Sequence, residues 1–313
     1  MILIGDAYQY LATLTSKSVQ CVVTSPPYWG LRDYGADGQL GLERTPQEYV
    51  ANMRMIFEQV WRVLKDDGTL WLNLGDSYAG SWGNQSRPGH RGKQRAITKE
   101  QIQNFKPYGN LKNATKTGSL ERTPGLKGKD LVGTPWRVAF ALQEDGWYLR
   151  QDIIWHKPNP MPESVRDRCT KSHEYIFLLS KSPKYLFNQE SILEPFSTAD
   201  HKGKTRERGI TPLTAMKQDR SNSGGFTKNR EGRNKRSVWS VCPKPFKGAH
   251  FATFPPDLIE PCILAGSNEG DTVLDPFFGA GTTGLVAKKH NRKFIGIEIN
   301  ESYAEMAKKR IWG

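Results

Sequence analysis

Short apolar stretches recur along the chain and are separated by polar, glycine-containing or amphipathic segments. The stretches are four to nine residues long, which is typical of strands rather than of helices. The clearest helical spacing follows Thr45-Pro46-Gln47-Glu48, a capping box with proline in the first turn, after which apolar side chains recur every three or four residues. The predicted strands cover residues 1–4, 19–24, 69–74, 147–155, 173–180, 272–275 and 294–297.

The predicted helices fall between these strands, and such alternation predicts an α/β fold built on an open sheet. We expect Asp66-Asp67-Gly68 to close the long helix and Thr282 or Thr283 to cap a later one. Residues 173–180 and 185–188 are predicted to pair as a hairpin. The predicted helices cover residues 8–14, 46–65, 134–145, 257–264, 285–289 and 302–310.

The composition is that of a globular protein. With 313 residues, 37% of them hydrophobic and 25% charged, the chain can bury the core of one large domain with insertions. No apolar run approaches the roughly 20 residues of a membrane helix, and the first residues lack the basic head of a signal peptide. No Cys-x-x-Cys pair occurs, so we expect buried thiols in a reducing cytoplasm. The four cysteines are Cys21, Cys169, Cys242 and Cys262.

The net charge of +13 is concentrated in two polar segments. The first basic segment, residues 83–130, has 11 Lys/Arg against 3 Asp/Glu, and the second, residues 181–250, has 15 against 6. The remaining, patterned part of the chain is therefore mildly acidic. Either segment alone could be a solvated loop. Two such segments beside the pocket that residues 25–29 are expected to form would instead be typical of surfaces that contact nucleic-acid phosphates.

The strand at residues 19–24 ends in Ser25-Pro26-Pro27-Tyr28-Trp29. The prolines stop the ladder and hold the chain rigid, so Ser25 and the neighbouring carbonyls become fixed acceptors beside aromatic rings. This arrangement suits a flat group that carries an NH2. The segment resembles the catalytic motif of the amino-group DNA methyltransferases, which act on cytosine N4 or adenine N6. Trp29 is either part of the same pocket or a core aromatic.

A second motif follows the strand at residues 272–275 and reads Asp275-Pro276-Phe277-Phe278-Gly279-Ala280-Gly281-Thr282. Its glycines allow close approach of a ligand, and the next strand ends in Glu298, where a carboxylate can bind ribose hydroxyls. Gly279, Gly281 and Gly284 have the spacing of a dinucleotide motif, so a dehydrogenase is an alternative on the glycines alone. The motif resembles the S-adenosylmethionine (AdoMet) motif of the same methyltransferases. In that resemblance Asp275 suits the cationic methionine end of AdoMet.

Two weaker matches extend the resemblance. His250-Phe251-Ala252-Thr253-Phe254-Pro255 resembles the family segment that precedes the AdoMet strand, so His250 and Phe254 become candidates for cofactor contact; a structural role for His250 stays open. Gly5-Asp6 resembles the motif whose acidic residue reaches the adenine of AdoMet. Other strand ends on the same sheet edge could shape the target-base pocket or hold phosphates. They contribute Asn73, Asp76, Trp155, Lys157 and Asn159.

The order of the motifs implies a circular permutation of the AdoMet-dependent methyltransferase fold, of the class called beta, because the catalytic motif precedes the AdoMet motif. The expected fold is thus a Rossmann-like mixed α/β sheet, circularly permuted, with basic DNA-recognition insertions. We predict the catalytic half at residues 1–82 and 131–188, a basic insertion at 83–130, a target-recognition region at 189–248 and the AdoMet-binding half at 249–313.

The resemblance implies transfer of a methyl group from AdoMet to the exocyclic amine of a base flipped out of double-stranded DNA, without a metal ion. Serine at the first position of the catalytic motif favours cytosine N4, with adenine N6 as the alternative. Attack at cytosine C5 is disfavoured, because Cys242-Pro243 does not follow a catalytic-looking strand. An inert DNA-binding protein on this scaffold is a further alternative. The family also allows a restriction endonuclease partner, a monomeric or homodimeric state and a cytoplasmic location.

Overall fold

The computed structural model describes residues 1–31, 38–79, 126–196, 232–244 and 253–313. Within these ranges the chain forms one eight-stranded sheet with helices on both faces. The strands are β1 Ile2–Ile4, β2 Val19–Thr24, β3 Leu64–Leu74, β4 Tyr148–His156, β5 His173–Ser180, β6 Val238–Ser240, β7 Thr272–Asp275 and β8 Lys293–Glu298. The helices are α1 Ala7–Thr13, α2 Pro46–Val63, α3 Thr134–Glu144, α4 Pro256–Gly266, α5 Thr282–Lys289 and α6 Glu301–Trp312, with a short 3-10 helix at Gln189–Ile192.

The strands lie in the order β1-β8-β7-β2-β3-β5-β4-β6. All neighbouring pairs are parallel except those of β5, which runs antiparallel to both β3 and β4. The carboxyl ends of seven strands and the amino end of β5 therefore share one edge of the sheet. The predicted mixed α/β fold is confirmed. The arrangement is compatible with a circular permutation, which stays a prediction, as does the division of the chain into five parts.

The threonine cap at the start of α2 is confirmed, because the Thr45 hydroxyl accepts a hydrogen bond from the Glu48 amide at 3.1 Å. The Glu48 carboxylate accepts from the Arg44 amide at 3.0 Å. The predicted end of this helix is wrong. The helix ends at Val63, and residues 65–68, with Asp66-Asp67-Gly68, lie inside β3. Val19 pairs with Leu64 whereas Cys21 pairs with Thr69, so β3 accommodates three extra residues as a bulge.

The predicted hairpin of residues 173–180 and 185–188 is also wrong. β5 already has a partner strand on each side, so no edge remains for a further strand. Residues 185–188 instead cross to neighbouring elements: the Leu186 amide donates to the Asp67 carbonyl at 2.9 Å, and the Asn188 amide donates to the Ala265 carbonyl at 2.8 Å. These two hydrogen bonds hold residues 185–188 against β3 and α4.

The core is divided by the sheet into two apolar layers. One layer packs the sheet against the helices that precede and follow β3, and the other packs it against α4 and α5. Representative fully buried residues of the first layer are Leu11, Met53, Phe57, Val138 and Leu142, and those of the second are Trp71, Leu258, Ile263 and Ala287. Burial of such a side chain contributes roughly 1.5–3 kcal/mol. Both layers hold the strands in fixed positions, including their ends at the edge where seven carboxyl ends and the amino end of β5 meet.

The cysteine prediction is half right. Cys21 and Cys262 are buried in the second layer, whereas Cys169 and Cys242 are exposed because they lie in loops that follow β4 and β6. All four are free thiols. In the described part of the chain no helix combines the length and apolarity of a membrane span.

Candidate active site

A cavity of about 550 Å³ opens where the carboxyl ends of β1, β2, β7 and β8 meet the amino end of β5. Cavities of this size hold ligands as large as a nucleoside derivative. Both predicted motifs lie on its wall, although they are about 250 residues apart in sequence. The predicted site residues that line it are Asp6, Ser25, Pro26, Pro27, Tyr28, Phe254, Pro276, Phe277, Gly279, Thr282 and Glu298.

The catalytic segment, residues 25–28, leaves β2 as a rigid arm. At its start Thr24 donates a hydrogen bond to Asp275 at 2.7 Å, and at its middle the Pro27 carbonyl accepts one from the Tyr49 hydroxyl at 2.9 Å. The two prolines have trans peptide bonds and restrict the backbone further. The segment is thus held at its start and in its middle before any ligand binds.

The polar end of the catalytic segment forms a hydrogen-bonded group with two neighbouring strands. The Tyr28 hydroxyl lies 2.6 Å from Glu174 Oε2 and 3.1 Å from Asn73 Oδ1. The Ser25 hydroxyl lies 3.2 Å from Asn73 Oδ1 and 3.4 Å from the Tyr28 hydroxyl. The Asn73 amide donates to the Tyr175 carbonyl at 3.0 Å, which directs its oxygen toward the catalytic segment. The sequence predicted Asn73 at this edge of the sheet but did not predict its hydrogen bonds with Ser25 and Tyr28.

Glu174 is the site residue that the sequence prediction missed. It lines the cavity and forms an ion pair with Lys157, and the two side chains are only 15% and 20% exposed. Lys157 also lies 4.4 Å from the ring centre of Trp155. Lys157 and Asn159 line the cavity, as expected from their strand end. The sequence did not indicate Glu174 because this residue lies at the amino end of a strand. Only the antiparallel direction of β5 brings that end to the sheet edge that carries the cavity.

The cofactor half of the cavity combines an open backbone with a buried carboxylate. Gly279 has a φ of +50°, and an added Cβ would meet no other atom of the described residues within 4 Å, so the backbone there is open toward the cavity. Its amide donates to Glu298 Oε2 at 2.6 Å, and the Asn300 amide donates to Glu298 Oε1 at 2.8 Å. Burial raises the pKa of Glu298. An open glycine and an acidic strand end fit a nucleoside.

Asp275 lies behind the cavity wall rather than on it. Its carboxylate is 1% exposed and accepts hydrogen bonds from the Thr24 hydroxyl, the Thr283 hydroxyl and the Phe277 amide at 2.7, 2.7 and 3.0 Å. Burial raises its pKa to about 6. This placement does not offer the direct contact with the methionine end that was expected. Asp275 instead ties β2, β7 and α5 together, and so sets the distance between the two motifs.

The burial of Asp275 predicts a pH dependence of stability. In the folded protein Asp275 keeps its proton up to about pH 6, whereas in the unfolded chain it loses the proton near pH 3.8. The stronger proton binding of the folded state therefore stabilises the protein fully below pH 3.8, and this stabilisation is lost as pH rises through 6. The difference in unfolding free energy between Asp275→Asn and wild type should therefore rise by on the order of 3 kcal/mol over this range, in favour of the variant. Denaturant unfolding across pH measures it. A flat difference across pH for Asp275→Asn would contradict the prediction.

The end of the glycine motif has a packing role. Gly281 has a φ of +77° and lies outside the cavity lining, and a Cβ there would lie 2.8 Å from the Ala307 Cβ. The expected threonine cap is wrong: α5 begins at Thr282, preceded by Gly281, with no side-chain cap. Thr283 is used for its bond to Asp275, and Thr282 accepts a hydrogen bond from Arg310 at 2.9 Å.

Three further predicted residues have other positions. Trp29 is a core aromatic outside the cavity lining, 4% exposed, and its ring nitrogen donates to the Glu43 carbonyl at 2.9 Å. Asp76 accepts from the Gly133 and Thr134 amides at 3.0 and 3.1 Å, so it caps α3 and does not line the target pocket. His250 lies outside the described residues.

The mixed sheet brings the two motifs that resemble those of the amino-group methyltransferases onto one cavity, as an enzyme of that class requires. Comparison with known proteins identifies the family. A family model described as DNA methylase, of the N6/N4 methyltransferases, matches residues 19–309. The chain belongs to this family and is an AdoMet-dependent DNA amino-methyltransferase.

The similar proteins agree with this assignment. The Type II methyltransferase M.Cfr9I of Citrobacter freundii is 47% identical over 309 residues, which are 99% of this chain and 86% of that protein. M.SmaI of Serratia marcescens, also a Type II methyltransferase, is 47% identical over 311 residues, with 99% and 90% covered.

Solved structures share the fold. A PvuII DNA methyltransferase, described as cytosine-N4-specific, matches with a TM-score of 0.63 and 19% identity over 100% of this chain and 86% of its own. A putative DNA modification methylase of Thermus thermophilus, solved with S-adenosyl-L-methionine, matches with a TM-score of 0.57 and 22% identity, covering 99% of this chain and 93% of its own.

Proposed function

We propose that this chain methylates the exocyclic N4 of cytosine in double-stranded DNA, with AdoMet as the methyl donor. The observation that carries the proposal is the shared cavity: the catalytic segment and the glycine motif line the same space of about 550 Å³. A base held by the first and a nucleoside cofactor held by the second would be adjacent. Proximity of this kind supplies a large part of the rate enhancement in transfer reactions.

The cofactor half holds AdoMet through residues of different chemistry. The Gly279 backbone allows close approach, Glu298 binds the ribose hydroxyls, and Asp6 at the start of α1 reaches the adenine. Phe254 and Phe277 supply apolar wall. When bound, AdoMet supplies an electrophilic methyl group on a positively charged sulfur. The chain's own contribution is to hold that methyl group opposite the catalytic segment.

The catalytic segment binds and activates the target amine. An aromatic amine is a weak nucleophile because its lone pair is delocalised into the ring. The Ser25 hydroxyl and the Pro26 carbonyl accept hydrogen bonds from the NH2 and localise that lone pair on nitrogen. Extrusion of the base from the duplex costs a few kcal/mol. Stacking on an aromatic ring such as Tyr28 offsets roughly 1–3 kcal/mol of this cost.

Two observations favour cytosine over adenine as the target base. Ser25 occupies the position at which the resembled family pairs serine with N4-cytosine specificity. The PvuII enzyme with the same fold is described as cytosine-N4-specific. Adenine N6 is the second candidate, because the family model covers both reactions.

The two basic segments are proposed to contact DNA, with sequence recognition in residues 189–248. The second segment has 15 Lys/Arg against 6 Asp/Glu, which suits phosphate and base-edge contacts. Exchange of residues 189–248 for the matching segment of a relative that methylates a different site is expected to transfer that site to this chain. Sequencing around the methylated bases measures the outcome. An unchanged site in an active chimera would contradict the proposal.

The names of the relatives support membership of a restriction-modification system, so a restriction endonuclease is the proposed biological partner. Co-expression with a candidate restriction endonuclease is the direct test: the chain should protect DNA from that endonuclease, and cleavage of methylated DNA would contradict the pairing. A cytoplasmic location and a monomeric or homodimeric state accompany the proposal. Size-exclusion chromatography with light scattering distinguishes the two states.

Nucleoside mass analysis tests the function. The purified protein is incubated with isotopically labelled AdoMet and several DNAs of differing sequence. Label in N4-methylcytosine is the expected result. Label in N6-methyladenine would overturn the base assignment and keep the reaction class. No label on any DNA, although a thermal shift shows AdoMet binding, would overturn the proposed function in favour of an inert DNA-binding protein.

A further inference from the structure

Methylation of an amine leaves a proton that must be removed. As the N–C bond forms, the C–S bond of AdoMet breaks and its electron pair stays on sulfur, so the nitrogen gains positive charge and must release one proton to end neutral. No group in the proposed function accepts this proton. An inference about the acceptor rests on that function and concerns the same cavity.

Three carboxylates among the described residues that line the cavity are candidates for the proton acceptor. They are Asp6, Glu174 and Glu298. Asp6 accepts the Gln9 amide at 2.9 Å as the cap of α1, and Glu298 holds the two backbone amides of the cofactor half. Glu174 is the one of the three that contacts the catalytic segment, through the Tyr28 hydroxyl at 2.6 Å.

The hydrogen bonds around Glu174 fix the direction of proton transfer. A hydroxyl has a single proton, and the nearest acceptor for that of Tyr28 is Glu174 Oε2 at 2.6 Å. Asn73 directs its NH2 to the Tyr175 carbonyl at 3.0 Å and to Glu174 Oε2 at 3.3 Å. Its Oδ1 can therefore accept the proton of Ser25 at 3.2 Å. With its proton so placed, the Ser25 oxygen is an acceptor for the amine of the base.

We propose that Glu174 accepts the proton released by the target amine. The proton passes to the Tyr28 oxygen, directly or through the Ser25 hydroxyl 3.4 Å away, while the proton of Tyr28 passes to Glu174 Oε2. Glu174 becomes a neutral carboxylic acid, and the methylated amine becomes neutral as well. Because the Glu174 side chain is 15% exposed, the proton can leave to water before the next turnover.

Lys157 has a defined part in this arrangement. Its ammonium group binds Glu174 Oε1, which leaves Oε2 for Tyr28. Lys157 is held in turn by its position over the Trp155 ring. It thus fixes which carboxylate oxygen faces the catalytic segment, and it is a positioning residue rather than a proton acceptor.

The test compares Glu174→Gln with wild type in single-turnover methyl transfer. Glutamine has nearly the same shape and keeps an oxygen for the Tyr28 hydroxyl, but it cannot accept the proton. General bases contribute roughly 10²–10⁴ in rate, so transfer should slow about 100-fold while AdoMet and DNA affinities stay close to wild type. Glu174→Asp, which keeps a carboxylate, should lie between the two. Glu305→Gln makes the same chemical change at an exposed carboxylate of α6 and should match wild type.

A double variant separates proton transfer from the loss of the ion pair. If the deficit of Glu174→Gln came only from an unpaired Lys157, the added Lys157→Met change would restore the rate and overturn the proposal. The rate of the double variant is expected to stay low. A Glu174→Gln rate within about threefold of wild type, far short of the general-base range, would equally overturn it. Transfer of labelled methyl groups to DNA by the wild-type protein tests the proposed function separately. If the wild-type protein transferred none, both the proposed function and the role of Glu174 would be overturned.

Discussion

Replacement of Ser25 by alanine is expected to slow methyl transfer by about 100- to 1,000-fold. This is the range seen when one preorganised hydrogen-bonding group is removed from developing charge. The Ser25 oxygen lies in the cavity, with its proton directed to Asn73 at 3.2 Å, and alanine offers no acceptor to the amine. AdoMet binding should change little, because Ser25 lies outside the glycine motif. Single-turnover transfer of labelled methyl to DNA and calorimetric AdoMet binding measure the two effects.

The matched control for this prediction is Ser16→Ala, which removes an exposed hydroxyl before the amino end of β2, away from the cavity at the carboxyl end of that strand. It should transfer methyl groups at the wild-type rate. A Ser25→Ala protein that retained more than about a tenth of that rate would show that the Pro26 carbonyl suffices as acceptor. The mechanism would then rest on backbone geometry rather than on the serine side chain.

Replacement of Gly75 by alanine is expected to lower methyl transfer by about 100-fold, although Gly75 makes no proposed contact with substrate. A Cβ at this position would lie 2.5 Å from Tyr28 Cε2 and 3.0 Å from Cδ2, so the ring must move. Movement of the ring separates the Tyr28 hydroxyl from Glu174, and a displacement of about 1 Å in a reacting group can cost 10²-fold in rate. The same transfer assay measures the effect, with AdoMet binding as a check of the folded state.

Gly128→Ala provides the comparison for folding, because a Cβ there meets no atom of the described residues within 4 Å. Its thermal stability should equal that of wild type. If Gly75→Ala kept the wild-type rate, the position of Tyr28 would have to be tolerant of displacement, and both the stacking role and the proton path through its hydroxyl would be contradicted.

The sequence predicted the parts of this protein that depend on local order. The boundaries of β2 and the buried face of α2 follow from apolar spacing and capping between residues close in the chain. The catalytic segment and most of the glycine motif were identified because their chemistry is contiguous in the chain. The meeting of both at one sheet edge followed from the rule that parallel strands present their carboxyl ends together.

The errors arose where a residue's role depends on its neighbours in space. Trp29 and Asp76 have residue types that suit a base pocket, but packing places one in the core and the other at the start of α3. The hairpin prediction failed because pairing partners of a strand are chosen by the whole sheet rather than by adjacent residues.

The sequence by itself therefore determined the fold class, the family and the two motifs that face each other across the cavity. The tertiary structure alone decided that Asp275 lies behind the cavity wall and that Glu174 lies on it. The physical reason is that burial and strand direction are properties of the packed sheet. Asp275 lost its exposure when β2, β7 and α5 closed around it, and Glu174 reached the catalytic segment because β5 runs against its neighbours.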